Sequence, residues 1–105
     1  MSAYQLIRRA VAEKKIVVAT YKNCRRWMCP HIIGKNRLGR EQALFYQFRG
    51  ESDHGLGPDG SSSNWRCIPT DNLIDVSIIS GEWHTAANHS RSQTCVYYID
   101  AQVEI

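Results

Sequence analysis

The sequence predicts a mainly β fold of the α+β class: a small, strongly bent sheet or barrel with an N-terminal helix. One segment at the start of the chain has helical periodicity. The segments that follow are short runs of β-branched and aromatic residues separated by turn residues. At 105 residues and without an internal repeat, the chain has the length of one domain, with barrel strands within residues 15–79.

The helix is expected over residues 3–14. Ser2 and Gln5 have the spacing of a capping box, in which each side chain bonds the backbone N–H of the other residue. Apolar residues then recur at helical spacing, at Tyr4, Ile7, Ala10 and Val11. One stripe of this helix is therefore expected to pack on the sheet.

Five strands are expected next, over residues 16–21, 25–29, 43–48, 65–68 and 73–79. The first two form a hairpin through a turn at Lys22 to Cys24, and Pro30 is expected to end the second strand or place it at an edge. Residues 34–39 are a predicted connecting loop. Residues 43–48 are apolar on both faces, which favours a central position.

Residues 80–105 are a predicted C-terminal extension. Residues 80–94, around Trp83, are expected to be poorly structured. From Cys95 onward the odd positions are apolar up to Ile105, which predicts a half-buried edge strand with Tyr97 and Ile99 on its apolar face.

The cysteines are Cys24, Cys29, Cys67 and Cys95, and four cysteines allow three pairings. Cys67 and Cys95 lie in apolar or alternating stretches, where a thiol behaves as a small hydrophobe. No secretory leader or membrane-spanning run is recognisable. We therefore expect free cysteines, a cytoplasmic location and no membrane partner.

Charge is unevenly distributed along the chain. Residues 1–49 contain eleven of the thirteen Lys and Arg residues, but only Glu13 and Glu41 of the ten acidic residues. A basic surface built from this half would attract phosphate-bearing partners. The alternative is that the acidic half folds across the basic half and neutralises it through ordinary surface ion pairs.

No motif assigns an enzymatic reaction. A P-loop and a dinucleotide-binding fingerprint are both absent. Cys29 and His31 have the wrong spacing for a standard zinc site, so we expect neither a metal nor a cofactor. A nucleophilic pair of Cys29 with His84 or His89 stays open, although no local signature supports it and we predict no catalytic residue. The loop over residues 51–63 either binds an anion through backbone N–H groups or is a solvated hairpin loop.

Aromatic and basic residues are interleaved along the predicted strands. Tyr21, Trp27, Tyr46 and Trp65 alternate with Arg25, Arg26, Arg49 and Arg66. Small barrels bind nucleic acid with this combination, because flat side chains stack on bases while arginine contacts phosphates. The aromatic residues could instead belong to the core.

The order of these elements resembles the WYL domain. In that family a strand ending in Tyr is followed by a basic strand ending in Pro, an aromatic strand, and an Arg-containing strand that leads into an Asp-Arg-Ile turn. The matching segments here are the strand ending at Tyr21, Arg26 to Pro30, Leu44-Phe45-Tyr46, and Trp65-Arg66 followed by Asp71-Asn72-Leu73. The turn thus lacks the arginine of the family pattern. A further likeness is to small single-domain relatives with Tyr-Gln-x2-Gly-x-Ser, here Tyr46 to Ser52.

The resemblance implies an SH3- or Sm-like barrel and a regulatory, ligand-sensing role. WYL domains bind nucleic acid or nucleotide-like ligands in transcription factors and phage-defence systems, usually beside a winged helix, which this sequence lacks. A free-standing copy would act as a ligand-binding subunit, oligomerise or join a partner protein.

These observations together lead to three hypotheses. The first is a non-enzymatic module that binds nucleic acid or a nucleotide-like phosphorylated ligand. Its predicted site residues are Tyr21, Arg25, Arg26, Tyr46, Gln47, Trp65 and Arg66. The second is a protein-interaction module, in which exposed strand edges and Trp83 form a homodimer or partner interface. The third is an enzyme with a cysteine nucleophile of lowered pKa.

Overall fold

The fold is one antiparallel sheet of six strands with a single helix. The computed structural model describes residues 2–52, 55–86 and 93–103. Its helix and strands are α1 (Ala3–Glu13), β1 (Ile16–Tyr21), β2 (Cys24–Lys35), β3 (Glu41–Gly50), β4 (Trp65–Pro69), β5 (Ile74–Ile79) and β6 (Tyr98–Gln102). Short 3-10 turns, Ser62–Asn64 and Thr70–Asn72, precede and follow β4.

Helix α1 begins where the sequence predicts. The Ser2 side chain accepts a hydrogen bond from the Gln5 backbone, and the Gln5 side chain accepts one from the Ser2 backbone, so the capping box is formed. Lys14 ends the helix in the left-handed conformation. The buried residues Ile7, Ala10 and Val11 form the stripe that packs on the sheet.

Five strands lie in the order β4-β3-β2-β1-β5, and β6 pairs with β2. The β1–β2 hairpin turns at Lys22 and Asn23, which both have positive φ, as the two-residue turns that match strand twist require. Strand β3 lies between β2 and β4, which confirms its central position.

Pro30 does not end the second strand. Strand β2 continues through Pro30 to Lys35 and has twelve residues. Pro30 lies where the register between β2 and β3 shifts, and such an irregularity tolerates a residue without a backbone N–H. The first half of β2 pairs with β1 and its second half with β6. The predicted loop over residues 34–39 therefore shortens to a turn after Lys35.

Two hydrophobic cores lie on opposite faces of the sheet. The first packs α1 against residues such as Val17, Met28 and Phe45. The second contains Val18, Cys29 and Tyr46, with partly buried tryptophans around them. Residues 80–86, which fall in the segment predicted to be poorly structured, have no regular secondary structure, yet Trp83 and Ala86 pack into the second core.

The C-terminal strand forms, and its predicted apolar face is partly correct, because Ala101 and Val103 pack against the first core. Tyr97 and Ile99 are 55% and 51% exposed, whereas the chain is buried earlier, at Cys95 and Val96. The register between β2 and β6 shifts between Ile33 and Gly34, which interrupts the simple alternation. Ile105 lies outside the described residues.

The prediction of four free thiols is also wrong. Cys67 on β4 and Cys95 before β6 form a disulfide, with Cα atoms 5.7 Å apart. A Cα separation of this size suits a disulfide, and two residues separated by 28 positions cannot be placed together by spacing alone. Cys24 and Cys29 are free.

Within the described residues, no helix has the length and apolar character needed to cross a membrane.

Candidate phosphate-binding site

The predicted site residues divide between the two faces of the sheet. Gln47 pairs with Met28, and Arg66 pairs with Phe45, so both point toward the first core. Arg26 alternates with Met28 along β2 and lies on that face, as does Tyr21, which packs against the same core. Tyr46 and Trp65 belong to the second core. Arg25 also points to the second face, opposite Thr20.

Arg26 places a positive charge in the protein interior. It is only 2% exposed. Its Nη1 donates to the Oε1 atom of Gln47 at 3.3 Å, and its Nη2 donates to the Tyr21 carbonyl oxygen at 3.3 Å. Its Nε is buried without a hydrogen-bond partner. Both acceptors are neutral, so among the described residues the Nε–H has no acceptor and the guanidinium has no carboxylate partner.

Gln47 is held in place by the start of the loop that follows β3. Its Nε2 donates to the carbonyl oxygens of Arg49 at 3.2 Å and Glu51 at 2.9 Å. These bonds orient Oε1 toward Arg26. The buried amide therefore connects the loop to the guanidinium.

Arg66 supplies a second guanidinium on the same face. Its Nη2 donates to Ser52 Oγ and to the Gly55 carbonyl oxygen, both at 3.1 Å. Its Nη1 donates to the carbonyl oxygens of Ser63 at 2.7 Å and Trp65 at 3.1 Å. Burial, followed by the positive charge of Arg26, lowers the pKa of the Arg66 guanidinium below its ordinary value. Two mutually repelling cations thus stand at this end of the first core.

Among the described residues, the acidic half of the chain does not neutralise these arginines. Ion pairs between the two halves of the chain join Arg8 to Asp100 at 3.0 Å and Arg40 to Asp71 at 3.3 Å. None of the described carboxylates forms an ion pair with the four interleaved arginines, Arg25, Arg26, Arg49 and Arg66. Self-neutralisation is therefore partial and leaves the candidate site positive.

Arg25 is exposed and lies beside the edge strand β5. It donates to Thr20 Oγ1 at 3.2 Å and to the Asp75 carbonyl oxygen at 3.0 Å. Both acceptors are again uncharged, so Arg25 extends the positive surface onto the second face.

Tyr46 is fully buried, and Trp65 is half-buried beside it. The Tyr46 hydroxyl donates to the Ser61 carbonyl oxygen at 2.9 Å. The Trp65 ring makes edge contacts with Tyr46 at 5.0 Å and with His31 at 4.7 Å between centroids. The alternative reading of these aromatic residues as core therefore applies to Tyr46, whose ring has no solvent-facing surface.

Two contacts of the site come from residues outside the predicted set, since Ser52 and Gly55 hold Arg66. On the second face, the Arg49 guanidinium lies over the Trp27 ring at 5.0 Å. Ser52 is the last residue of the Tyr-Gln-x2-Gly-x-Ser motif, and this motif is the sequence pattern that indicates it as a site residue. No sequence pattern identifies Gly55, because its carbonyl group makes the contact.

The possible Cys29–His84 pair is not arranged for catalysis. The contact runs from the His84 backbone N–H to Cys29 Sγ at 3.3 Å. The His84 ring instead stacks on Phe48 and bonds Asp59 through Nδ1 at 2.9 Å. Burial raises the pKa of the Cys29 thiol to about 11. His89 lies outside the described residues. The part of the chain that is described contains no cluster of three or more metal-ligating side chains.

Comparison with known proteins returns no match: no family model, no curated protein and no solved structure is significantly similar to the chain. The resemblance to the WYL domain therefore stays a prediction, and the site is interpreted from its own geometry.

Proposed function

We propose that this protein is a non-enzymatic module that binds a nucleic acid or a nucleotide-like phosphorylated ligand. One observation carries the proposal. Arg26 is buried with an unpaired Nε and has no carboxylate partner within the described residues, and Arg66 lies on the same face. A buried charge without a partner costs free energy, and an anion that accepts the unused N–H would recover it.

The aromatic residues support a ligand with bases. The Tyr21 ring is half-buried, and the Arg26 Cζ and Lys22 Nζ atoms lie over it at 5.1 Å and 5.5 Å from its centroid, so a base that contacts the exposed part of this ring would lie close to two cations. Trp65 could stack on a second base from the opposite face. Base–aromatic stacking contributes roughly 1–3 kcal/mol per base, comparable to a charge-assisted hydrogen bond. Tyr46, being buried, supports Trp65 in this proposal and does not stack itself.

We also propose that the fold is an SH3- or Sm-like barrel of the WYL type. A single 3-10 turn, Thr70–Asn72, joins β4 and β5, the outermost strands of the five-strand path. A short link between the two ends of a bent sheet is what a small barrel needs. The outermost strands, β4 and β5, are not paired with each other, so the sheet is not closed by hydrogen bonds.

The non-enzymatic part of the proposal rests on three of the four cysteines, Cys29, Cys67 and Cys95. A nucleophilic cysteine needs a lowered pKa and access to solvent. Cys29 is buried with its pKa raised to about 11, and Cys67 and Cys95 are joined in the disulfide.

The test is a fluorescence-anisotropy titration of a short labelled single-stranded oligonucleotide at several salt concentrations. Each phosphate contact that is removed should lower the salt slope by about one. We expect Arg66→Gln and Arg25→Gln each to do so. Arg9→Gln is the matched control, because Arg9 is exposed on α1 and paired with Glu13. The absence of binding at low salt, or unchanged slopes in both site variants, would overturn the proposal.

The second candidate function is protein interaction, favoured by an exposed apolar surface. Tyr97, Tyr98 and Ile99 are each more than half exposed and lie together at β6. Tyr98 and Ile99 border a shallow pocket of about 450 Å³ that Tyr4 and Glu41 also line. Trp83, the other residue expected at an interface, instead packs against His31. A ligand-free oligomer of constant mass in light scattering would favour this function.

A further inference from the structure

The burial of Arg26 restricts which phosphate can reach it. An internal phosphodiester is bonded to a sugar on both sides, so it can contact only side chains that project toward the strand. Arg26 is 2% exposed and does not project. A terminal phosphate has a single ester bond and can approach a buried donor with its three free oxygens first.

The charge of the site leads to the same class of ligand. A phosphate monoester carries a charge of about −1.5 to −2 near neutral pH, whereas an internal phosphodiester carries one negative charge. Arg26 and Arg66 together supply two positive charges, and their described acceptors are all neutral. The charge of a phosphate monoester therefore balances the charges of both arginines, whereas an internal phosphodiester balances only one of them.

The N–H groups of the two arginines can also donate hydrogen bonds to several oxygen atoms of one phosphate group. The Arg26 Nε has no partner, and Arg66 is bonded to a hydroxyl and to carbonyl groups that a more negative oxygen can replace. Hydrogen bonds between guanidinium and phosphate are stronger than those to neutral acceptors. Exchange of the Ser52 and Gly55 contacts for phosphate oxygens is thus favourable.

We propose, on the basis of the function proposed above, that the Arg26–Arg66 site binds a terminal phosphate monoester, the phosphorylated end of a nucleotide or oligonucleotide. Internal phosphodiesters then contact exposed residues such as Arg25 and add affinity without reaching Arg26. A preference for the phosphorylated end would distinguish this protein from a general single-strand-binding protein, which binds the phosphate backbone anywhere along the strand.

The experiment compares short oligonucleotides of one sequence labelled on an internal base, with hydroxyl ends, a 5′-phosphate or a 3′-phosphate. A fourth oligonucleotide has hydroxyl ends and one extra nucleotide, so its number of phosphates matches that of the phosphorylated forms. We expect at least one phosphorylated form to bind the wild-type protein about tenfold more tightly than the longer control.

Variants locate the preference within the protein. Arg26→Gln should remove the difference between phosphorylated and hydroxyl ends, with folding checked by circular dichroism. Arg25→Gln should weaken all four oligonucleotides alike and keep their ratio. The wild-type comparison is decisive even if Arg26→Gln fails to fold.

The outcomes are distinguishable. Tighter binding of a phosphorylated end supports both proposals. Equal, salt-dependent binding of all four oligonucleotides leaves the proposed function in place and overturns the end preference. No binding of any oligonucleotide overturns both.

Discussion

Arg26 donates a hydrogen bond from Nη1 to the Oε1 atom of Gln47, 3.3 Å away, and both side chains are buried. The partner of this buried cation is an amide, whereas a carboxylate is the usual partner for a buried charge. A neutral partner orients the guanidinium and leaves its charge available to an anion. This pairing is the structural basis of the proposed function.

Gln47→Glu should abolish phosphate binding. The new carboxylate would stand beside Arg26, neutralise it and repel an incoming phosphate. The measurement is oligonucleotide affinity at low salt, with the folded state verified by thermal unfolding. Gln5→Glu is the control, since it makes the same charge change at an exposed position and a glutamate still completes the capping box. Equal affinity in both variants would show that the charge of Arg26 is not used in binding.

Reduction of the Cys67–Cys95 disulfide should lower the free energy of unfolding by about 2–4 kcal/mol. The bond closes a loop of 28 residues, and opening it restores conformational entropy to the unfolded chain. Urea unfolding with and without a reducing agent measures the effect, and Cys67→Ala should show the same loss without reductant. Cys24→Ala, which removes a free thiol, should retain sensitivity to the reductant. Four reactive thiols in the unreduced, denatured protein would contradict the pairing.

The two free cysteines should differ in reactivity. Burial raises the pKa of Cys29 to about 11, so at mildly alkaline pH it is a protonated thiol without access to solvent. Cys24 is partly exposed at the start of β2. Alkylation followed by mass spectrometry should label Cys24 in the folded protein and Cys29 after denaturation. Rapid labelling of Cys29 in the folded state would revive the cysteine-nucleophile hypothesis.

The cluster of Tyr4, Arg8 and Asp100 should make stability depend on pH. Hydrogen bonds from Tyr4 and then Arg8 lower the pKa of Asp100, so its contribution is present above its unfolded pKa and lost as pH falls through the folded value. Burial, and then the bond to Asp100, raise the pKa of Tyr4 to about 12. That contribution is present below the unfolded pKa of about 10 and lost as pH rises toward 12.

Unfolding free energies of the wild type and Asp100→Asn, compared across pH, test this assignment. The difference between the two proteins should be largest at intermediate pH and should shrink in acid. A difference that stays constant from neutral to acidic pH would mean that Asp100 gains nothing from Tyr4 and Arg8 in the folded state.

The sequence predicted the elements whose signals are local. The capping box of Ser2 and Gln5 and the turn at Lys22 and Asn23 depend on neighbouring residues, and both are confirmed. Strand β3 was identified as central because it is apolar on both faces.

The errors concern long-range geometry. A register shift accommodates Pro30 within β2, another separates the exposed Ile99 from Ala101, and the Cys67–Cys95 bond joins distant segments. The interleaved arginines and aromatic residues were identified as a group. Their division between two faces follows from the bending and register of the sheet, which a linear pattern does not contain.

The most direct test of the phosphate site is a nitrogen–proton correlation spectrum that observes arginine Nε–H groups during titration with a phosphorylated oligonucleotide. The Arg26 Nε has no partner in the described structure, so a bound phosphate should shift its signal strongly, with the signal assigned by its loss in Arg26→Lys. We expect saturable shifts of the Arg26 and Arg66 signals with one affinity. Binding that leaves both signals unmoved would contradict the proposed phosphate site.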